Sequence, residues 1–178
     1  MCNFKSGIVL RDESFKGGFR LLMSPWTESH SELETIFQLH QDKRDNRAKV
    51  EFSPQSMDES YKPETYTLTI DEARCPEWFD EEMKSAVSEK MRSYIKSIIV
   101  SGDVQLLIGG QFIIAPGAKV ECAKSMVINA ICGGTVSAIC GGTVSEIRGG
   151  TVRKVVRLFD GLIGKVTKPG KIEIDERK

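Results

Sequence analysis

The C-terminal part of the chain repeats a pattern of apolar and polar residues every eight positions. Three successive octads, at residues 133, 141 and 149, begin Gly-Gly-Thr-Val. The fourth octad position is apolar in eight copies: Val104, Phe112, Val120, Ile128, Val136, Val144, Val152 and, after a three-residue insertion at 157–159, Ile163. The seventh is apolar as well: Leu107, Ala115, Ala123, Ile131, Ile139, Ile147, Val155 and Val166. We therefore expect both columns to line a core.

The spacing of these two columns favours a short β-solenoid. Positions four and seven are an odd number apart, so a flat strand would send them to opposite faces. The glycine pair allows a turn, and the Thr and Val residues that follow it favour extended backbone. Short strands that stack their apolar ladders form a solenoid, and one octad is short for a whole coil. We expect two octads, about 16 residues, per turn. The alternative is an antiparallel β-meander with Gly-Gly hairpins.

Residues 1–100 show a mixed pattern that predicts an α+β domain. Residues 6–10 and 19–23 predict a β-hairpin, and residues 48–53 and 65–70 alternate as strands with one buried face. Residues 79–99 predict the longest helix, with an acidic first turn. Its apolar stripe is expected in the core: Met83, Val87, Met91, Tyr94 and Ile98.

A shorter helix is predicted between the hairpin and the third strand. Leu33, Ile36, Phe37 and His40 recur at the spacing of one helical face. Ser31 and Glu34 have the spacing of a capping box, and Ser29 is an alternative cap.

The predicted organisation is therefore an α+β domain over 1–100, a solenoid over 101–167 and a polar tail over 168–178. In the tail, Ile172 and Ile174 alternate with acidic residues and predict one more strand. An open strand edge at the end of a solenoid must be capped or joined to another copy. We therefore expect self-association, with a dimer as the default state and a trimer as the alternative.

Composition and charge exclude several classes of protein. The chain has 178 residues, 40% of them hydrophobic, and 25 basic against 25 acidic side chains, which excludes a disordered chain and a wholly basic nucleic-acid binder. Residues 1–100 carry a net charge of −4 and residues 101–178 one of +4, and 13 of the 16 glycines lie in the second part. This asymmetry supports the division into two regions.

The termini and cysteines indicate a cytoplasmic protein without a membrane span. The first residues lack the apolar core of a signal peptide, and no apolar run approaches ~20 residues. The five cysteines are widely spread without a CxxC pair, so we expect reduced thiols and no disulfide framework, zinc pattern or cofactor. Cys132 and Cys140 share an octad position in successive repeats, which predicts opposite faces of the coil.

Candidate catalytic chemistry is sparse. His30 and His40, if helical, are about 15 Å apart, too far to share a metal ion. His30 as general base with Cys75 as nucleophile would make a small hydrolase, although the sequence gives no geometry for it. Glu81 and Glu82 suit a helix first turn. No catalytic or metal-binding residue is assigned.

A cluster of basic residues near the C-terminus is the candidate binding face. Its members are Arg148, Arg153, Lys154, Arg157, Lys165 and Lys168, with Lys171 beyond them and Asp160 as the one acid in the stretch. Such a face attracts a polyanion: a nucleic acid, a nucleotide or an acidic protein. A single interleaved aromatic residue, Phe159, gives little support for base stacking.

Four short segments carry a resemblance to a known group of proteins. The chain opens Met-Cys-Asn and contains Thr-Glu-Ser-His-Ser-Glu-Leu (27–33), Val-Glu-Phe-Ser-Pro (50–54) and Pro-Glu-Trp-Phe (76–79). Together with the Gly-Gly-Thr-Val tail, it resembles uncharacterised proteins of phages and prophages. The resemblance implies a mobile-element origin and supplies no catalytic residue.

The expected function is therefore non-catalytic binding or assembly. Given the resemblance, we expect the protein to bind, and to inhibit or sequester, a bacterial host protein such as a defence component. The alternative is a nucleic-acid or nucleotide-binding protein that uses the basic face, and a second alternative is a small hydrolase.

Overall fold

The computed structural model describes residues 5–15, 17–39, 44–156, 163–166 and 171–172. The chain divides into two compact units. One comprises Met1–Gln55 and Lys62–Ile95, and the other comprises Ser56–Tyr61 and Lys96–Lys178. The short segment 56–61 thus interrupts the first unit in sequence and belongs to the second.

The N-terminal unit contains a four-stranded antiparallel sheet. Its strands are β1 (Lys5–Arg11), β2 (Phe19–Leu22), β3 (Arg47–Pro54) and β4 (Tyr66–Ile70), in the order β2-β1-β3-β4. β1 and β2 form the predicted hairpin, with Ile8 opposite Leu22. The alternating residues Ala48, Val50 and Phe52 of β3 are fully buried, as a strand with one core face requires.

Two helices pack on this sheet, α1 (His30–Ile36) and α2 (Glu81–Ile98). Leu33 of α1 shares a buried cluster with Ile8 and Leu22. On α2, the Lys90 Nζ atom lies 4.1 Å from the ring centroid of Phe19. Phe19 and Leu22 are three positions apart on β2 and so point to opposite faces of the sheet. The helices therefore cover opposite faces, and the predicted α+β architecture is confirmed.

Helix α1 is shorter than its apolar pattern predicts. Ser29 caps it by accepting a hydrogen bond from the Glu32 N–H group, so the predicted Ser31–Glu34 capping box is wrong. The helix ends at Ile36, whose side chain is 51% exposed, and Leu39 is the next buried residue beyond the helix. His40 lies outside the described residues.

The contrast between Leu33 and Ile36 gives a test of this packing. Leu33→Ala is expected to lower the free energy of unfolding by about 2–5 kcal/mol, because it leaves a cavity where a fully buried side chain stood. Ile36→Ala, in the same helix, is expected to cost less than about 1 kcal/mol. Urea denaturation followed by circular dichroism measures both values. Equal losses would contradict the described orientation of α1.

The described residues of the second unit include eight parallel-paired strands. They are β5 (Ile99–Val100), β6 (Asp103–Ile108), β7 (Gln111–Ile114), β8 (Lys119–Ile131), β9 (Thr135–Ile147), β10 (Thr151–Val156), β11 (Ile163–Val166) and β12 (Lys171–Ile172). Each strand pairing described among them is parallel. The β-solenoid is thereby confirmed, and the antiparallel meander is wrong.

The register confirms two octads per turn. Val120 pairs with Val136 and Val136 with Val152, each an offset of 16 residues. The solenoid makes about three turns over residues 99–152. Ile163 pairs with Val144, an offset of 19 that contains the three-residue insertion. The tail strand β12 pairs with β10 of the same chain, so the described part of the tail finds its partner within its own subunit.

Each turn contributes one strand to each of two sheets. Sheet I contains β6, residues 119–124, residues 135–140, β10 and β12, and sheet II contains β5, β7, residues 127–131, residues 143–147 and β11. Strands β8 and β9 each run through both sheets.

The two apolar columns line the interior as predicted. The buried members of the fourth column are Val120, Ile128, Val136, Val144 and Val152, and those of the seventh are Leu107, Ala115, Ala123, Ile131, Ile139 and Ile147. Between Val136 and Ile139, both Ser137 and Ala138 are half-buried. Both columns belong to one buried cluster, so the chain bends between positions four and seven and the odd spacing does not place them on opposite faces.

The second glycine of the pair lies where neighbouring turns approach each other. A Cβ atom on Gly142 would lie 2.1 Å from the Met126 carbonyl oxygen, and one on Gly150 would lie 2.1 Å from that of Gly134. Both glycines also have positive φ, +105° and +85°. The repeat thus needs glycine at this position for two reasons: a side chain would overlap the neighbouring turn, and the backbone has a positive φ.

Candidate functional site

Arg148, one member of the predicted basic face, is paired with two carboxylates. The Arg148 guanidinium lies 2.7 Å from Glu146 and 3.3 Å from Asp58. Asp58 belongs to the segment 56–61, ninety residues earlier in the sequence. The charge of Arg148 is therefore matched by two carboxylates within the second unit.

The remaining members lie on two sheets or outside the described residues. Arg153 is exposed on β10 in sheet I, where the backbone of Lys154 pairs with Ala138. The backbone of Lys165 pairs with Glu146 in sheet II. Arg157 and Lys168 lie outside the described residues. The basic face as a whole therefore stays a prediction.

The first strand of sheet I carries exposed apolar side chains. Leu106 and Ile108 of β6 are 50% and 64% exposed. They pair with Cys122 and Lys124 of the next turn, so their side chains share the outer face of sheet I. The repeat pattern did not predict this feature, because Leu106 and Ile108 occupy octad positions six and eight, outside the two apolar columns.

A pair of thiols lies further along the same outer face. The sulfur atoms of Cys122 and Cys140 are 3.8 Å apart. Burial, followed by the contact with Cys140, raises the pKa of Cys122 and keeps this thiol protonated. Cys132 contacts the Ser60 hydroxyl instead, and burial raises the pKa of its thiol. The sequence analysis did not predict the Cys122–Cys140 pair, because it compared cysteines at one octad position, whereas Cys122 and Cys140 occupy positions six and eight.

A charged cleft of about 950 Å³ lies in the N-terminal unit. Four cationic residues line it: Arg11, Arg47, Lys49 and Arg74. Five carboxylates, including Asp71 and Glu72, share the same walls. Because both signs are mixed, the cleft does not select strongly for an anion or a cation.

Within the cleft, one carboxylate holds two of the cations. Glu34 Oε1 lies 3.2 Å from the guanidinium of Arg47 and 3.0 Å from Nζ of Lys49. Arg47 also donates to the Leu39 carbonyl oxygen. Burial raises the pKa of Glu72, and Lys49 and Arg47 act in the opposite direction.

Asp71, which lines this cleft, converges with a histidine and a second carboxylate. The ring of His30, which is 7% exposed, lies with Nε2 3.1 Å from the Val50 carbonyl oxygen and Nδ1 2.9 Å from Asp71 Oδ2. A carboxylate oxygen of Glu51 joins them, and the three side chains place one ligand atom each within 4.8 Å of one another. Sequence reasoning missed this cluster entirely.

The local fold positions all three side chains. Glu28 accepts hydrogen bonds from the Ser6 N–H group and from Lys5 Nζ, which ties the segment before α1 to β1. The register of β3 and β4 places Val50 opposite Ile70, next to Glu51 and Asp71. The cluster is thus fixed by strand pairing and by the anchored start of α1.

The hydrolase alternative gains no support from the described contacts. The Cys75 sulfur donates towards the carbonyl oxygens of Pro76 and Phe79, whereas both ring nitrogens of His30 face Val50 and Asp71. Glu81 and Glu82 are exposed in the first turn of α2, as expected for residues that favour the helix dipole.

No known protein family, curated protein or solved structure matches this chain. Among the described residues, neither helix is long and apolar enough to cross a membrane.

Proposed function

We propose that the protein is a non-catalytic binding and assembly protein of the phage type, whose partner docks at the free edge of sheet I. The observation that carries this proposal is the exposure of Leu106 and Ile108 on β6.

Strand β6 has an open edge. Among the residues that the structure describes, its strand neighbour is β8, on one side. Natural proteins usually protect such edges with charges, bulges or a covering segment. Here Leu106 and Ile108 place two apolar side chains beside the edge, which favours the addition of a partner strand.

The partner expected at this edge is an extended segment with apolar side chains. An added strand would lie about 5 Å from β6, so its own outward side chains would pack on Leu106 and Ile108. The exposed charge of Asp103, at the start of β6 itself, would orient the incoming strand.

We assign the partner to a bacterial host protein, such as a defence component that the binding would inhibit or sequester. The resemblance to phage and prophage proteins supports this choice. Cys75, Cys122, Cys132 and Cys140 are free thiols, which is typical of a reducing compartment and supports action in the host cytoplasm. A second copy of the chain is the competing occupant.

The test replaces both apolar side chains at the edge. Leu106→Asp/Ile108→Asp is expected to abolish capture of a host protein from bacterial lysate, and Ile36→Asp, at an exposed apolar residue of the other unit, is the matched control. The captured protein is identified by mass spectrometry, purified, and titrated against the wild type and both variants. We expect at least about a hundredfold weaker binding for the double variant alone.

Three outcomes would overturn parts of the proposal. Equal binding by the double variant and the wild type would exclude this edge. An oligomer of the 19.8 kDa chain by light scattering that the double variant converts to a monomer would assign the edge to a second copy. Salt-sensitive nucleic-acid binding that Arg153→Glu removes, without host-protein capture, would establish the basic-face alternative.

A further inference from the structure

We propose that His30, Glu51 and Asp71 bind one Zn²⁺ ion in the N-terminal unit. Their ligand atoms lie within 4.8 Å of one another, and His30 Nδ1 is 2.9 Å from Asp71 Oδ2. Zinc bonds of about 2.0–2.2 Å in tetrahedral geometry place neighbouring ligand atoms about 3.3–3.6 Å apart. The 2.9 Å separation of this pair and the 4.8 Å limit on the cluster lie on either side of that range, so small side-chain rotations would bring all three ligand atoms onto one ion. This site does not depend on the binding surface proposed for the solenoid.

The histidine is held in the tautomer that a metal requires. The Val50 carbonyl oxygen can only accept, so Nε2 of His30 carries a proton and donates to it over 3.1 Å. Nδ1 then directs its lone pair towards the two carboxylates. Histidine ligands commonly donate their second ring N–H group to a backbone carbonyl in this way, which fixes the ring.

The donor set favours Zn²⁺ over the common hard cations. Ca²⁺ and Mg²⁺ prefer shells made of oxygen alone, whereas one imidazole nitrogen and two carboxylate oxygens suit zinc. Three protein ligands leave a fourth position for water. Asp71 is 52% exposed, so the site has access to solvent.

Neighbouring charges permit a divalent cation. Glu51 and Asp71 supply two negative charges, which Zn²⁺ neutralises. Lys49, two positions before Glu51 on β3, has its Nζ 3.0 Å from Glu34. Glu34 also holds Arg47, so the additional negative charge near the cluster comes from Glu72, a further carboxyl group beside Asp71.

The experiment titrates ZnCl₂ into the full-length chain after removal of metal by a chelator. Isothermal calorimetry is expected to show one zinc ion bound, with affinity at least about tenfold weaker in Asp71→Asn and in Glu51→Gln. Glu77→Gln is the matched control, because its carboxyl also lines the cleft but belongs neither to the cluster nor to the charges beside it. All titrations use a Cys122→Ser/Cys140→Ser background, which removes the adjacent thiols of the solenoid.

Nitrogen NMR of the imidazole groups identifies the ligand atom. The chain has two histidines, and His40→Gln leaves the signals of His30 alone. We expect zinc to shift Nδ1 of His30 and to leave Nε2 protonated. Asp71→Asn and Glu51→Gln change partly exposed side chains, so the test does not depend on whether a His30 variant folds.

Three results would overturn the site. The first is the absence of zinc binding at millimolar ZnCl₂, and the second is equal affinity for the wild type, Asp71→Asn and Glu51→Gln. The third is a zinc-induced shift at Nε2 of His30 rather than at Nδ1. Failure of host-protein capture would leave these measurements unaffected, because the two tests use different units and different variants.

Discussion

Val144→Asp is expected to lower the free energy of unfolding of the solenoid by at least about 4 kcal/mol. Val144 is 3% exposed and pairs with Ile128 of the preceding turn, inside the apolar ladder. Aspartate removes a buried apolar side chain and leaves a carboxylate without a partner in the core, and both effects destabilise. Urea denaturation of the full-length chain, followed by far-ultraviolet circular dichroism, measures the loss.

The neighbouring residue supplies the control for this substitution. Thr143 is exposed, one position before Val144 in the same strand. Thr143→Asp introduces the same side chain on the outer face and is expected to cost about 1 kcal/mol or less. If both variants lost equal stability, the fourth octad position would not be the interior one.

Gly142→Ala is expected to disrupt the stacking of the turns. The added Cβ would lie 2.1 Å from the Met126 carbonyl oxygen and 2.6 Å from the Met126 nitrogen. Both are backbone atoms in the ladder of the preceding turn, so no side-chain rotation relieves the overlap. We expect a loss of about 3 kcal/mol or more, measured by the same denaturation experiment.

Gly141→Ala separates this overlap from backbone strain. Gly141 also has a positive φ, +81°, but no atom lies within 4 Å of a Cβ built there. Its replacement is expected to cost only the strain of the left-handed conformation, about 1–2 kcal/mol. If Gly141→Ala lost as much stability as Gly142→Ala, the positive φ of the turn, and not the close contact between neighbouring turns, would explain the need for the glycine pair.

The solenoid could be predicted from the sequence because its contacts repeat with a constant separation. A stack of equal turns pairs each residue with the one 16 positions later, so the eight-residue periodicity of the sequence also predicts which residues of successive strands pair.

The sequence of helix α1 contains no such repeat. Its apolar pattern continues past Ile36, but the helix ends there and Leu39 takes the buried position. Packing against the rest of the fold determines where a seven-residue helix ends, and one short apolar pattern does not predict that packing.

The candidate sites could not be predicted, because each joins distant segments. Glu51 and Asp71 become neighbours only through the register of β3 and β4, and the polar stretch between those strands does not reveal that register. Likewise, Arg148 meets Asp58 because the segment 56–61 joins the second unit. A count of charges along the sequence does not show which distant acidic residues contact a basic cluster.

One octad is half a turn, and this has a consequence for chains that differ in the number of repeats. Deleting a single octad before β9 would keep positions four and seven in the interior, yet it would transfer every later residue to the opposite sheet. Glu146 and Arg148 would then leave the side on which Asp58 lies. Deleting two octads would remove one full turn and keep each residue on its own side. The parity of the repeat number therefore decides which side chains share a surface, whereas the interior is the same for odd and even numbers.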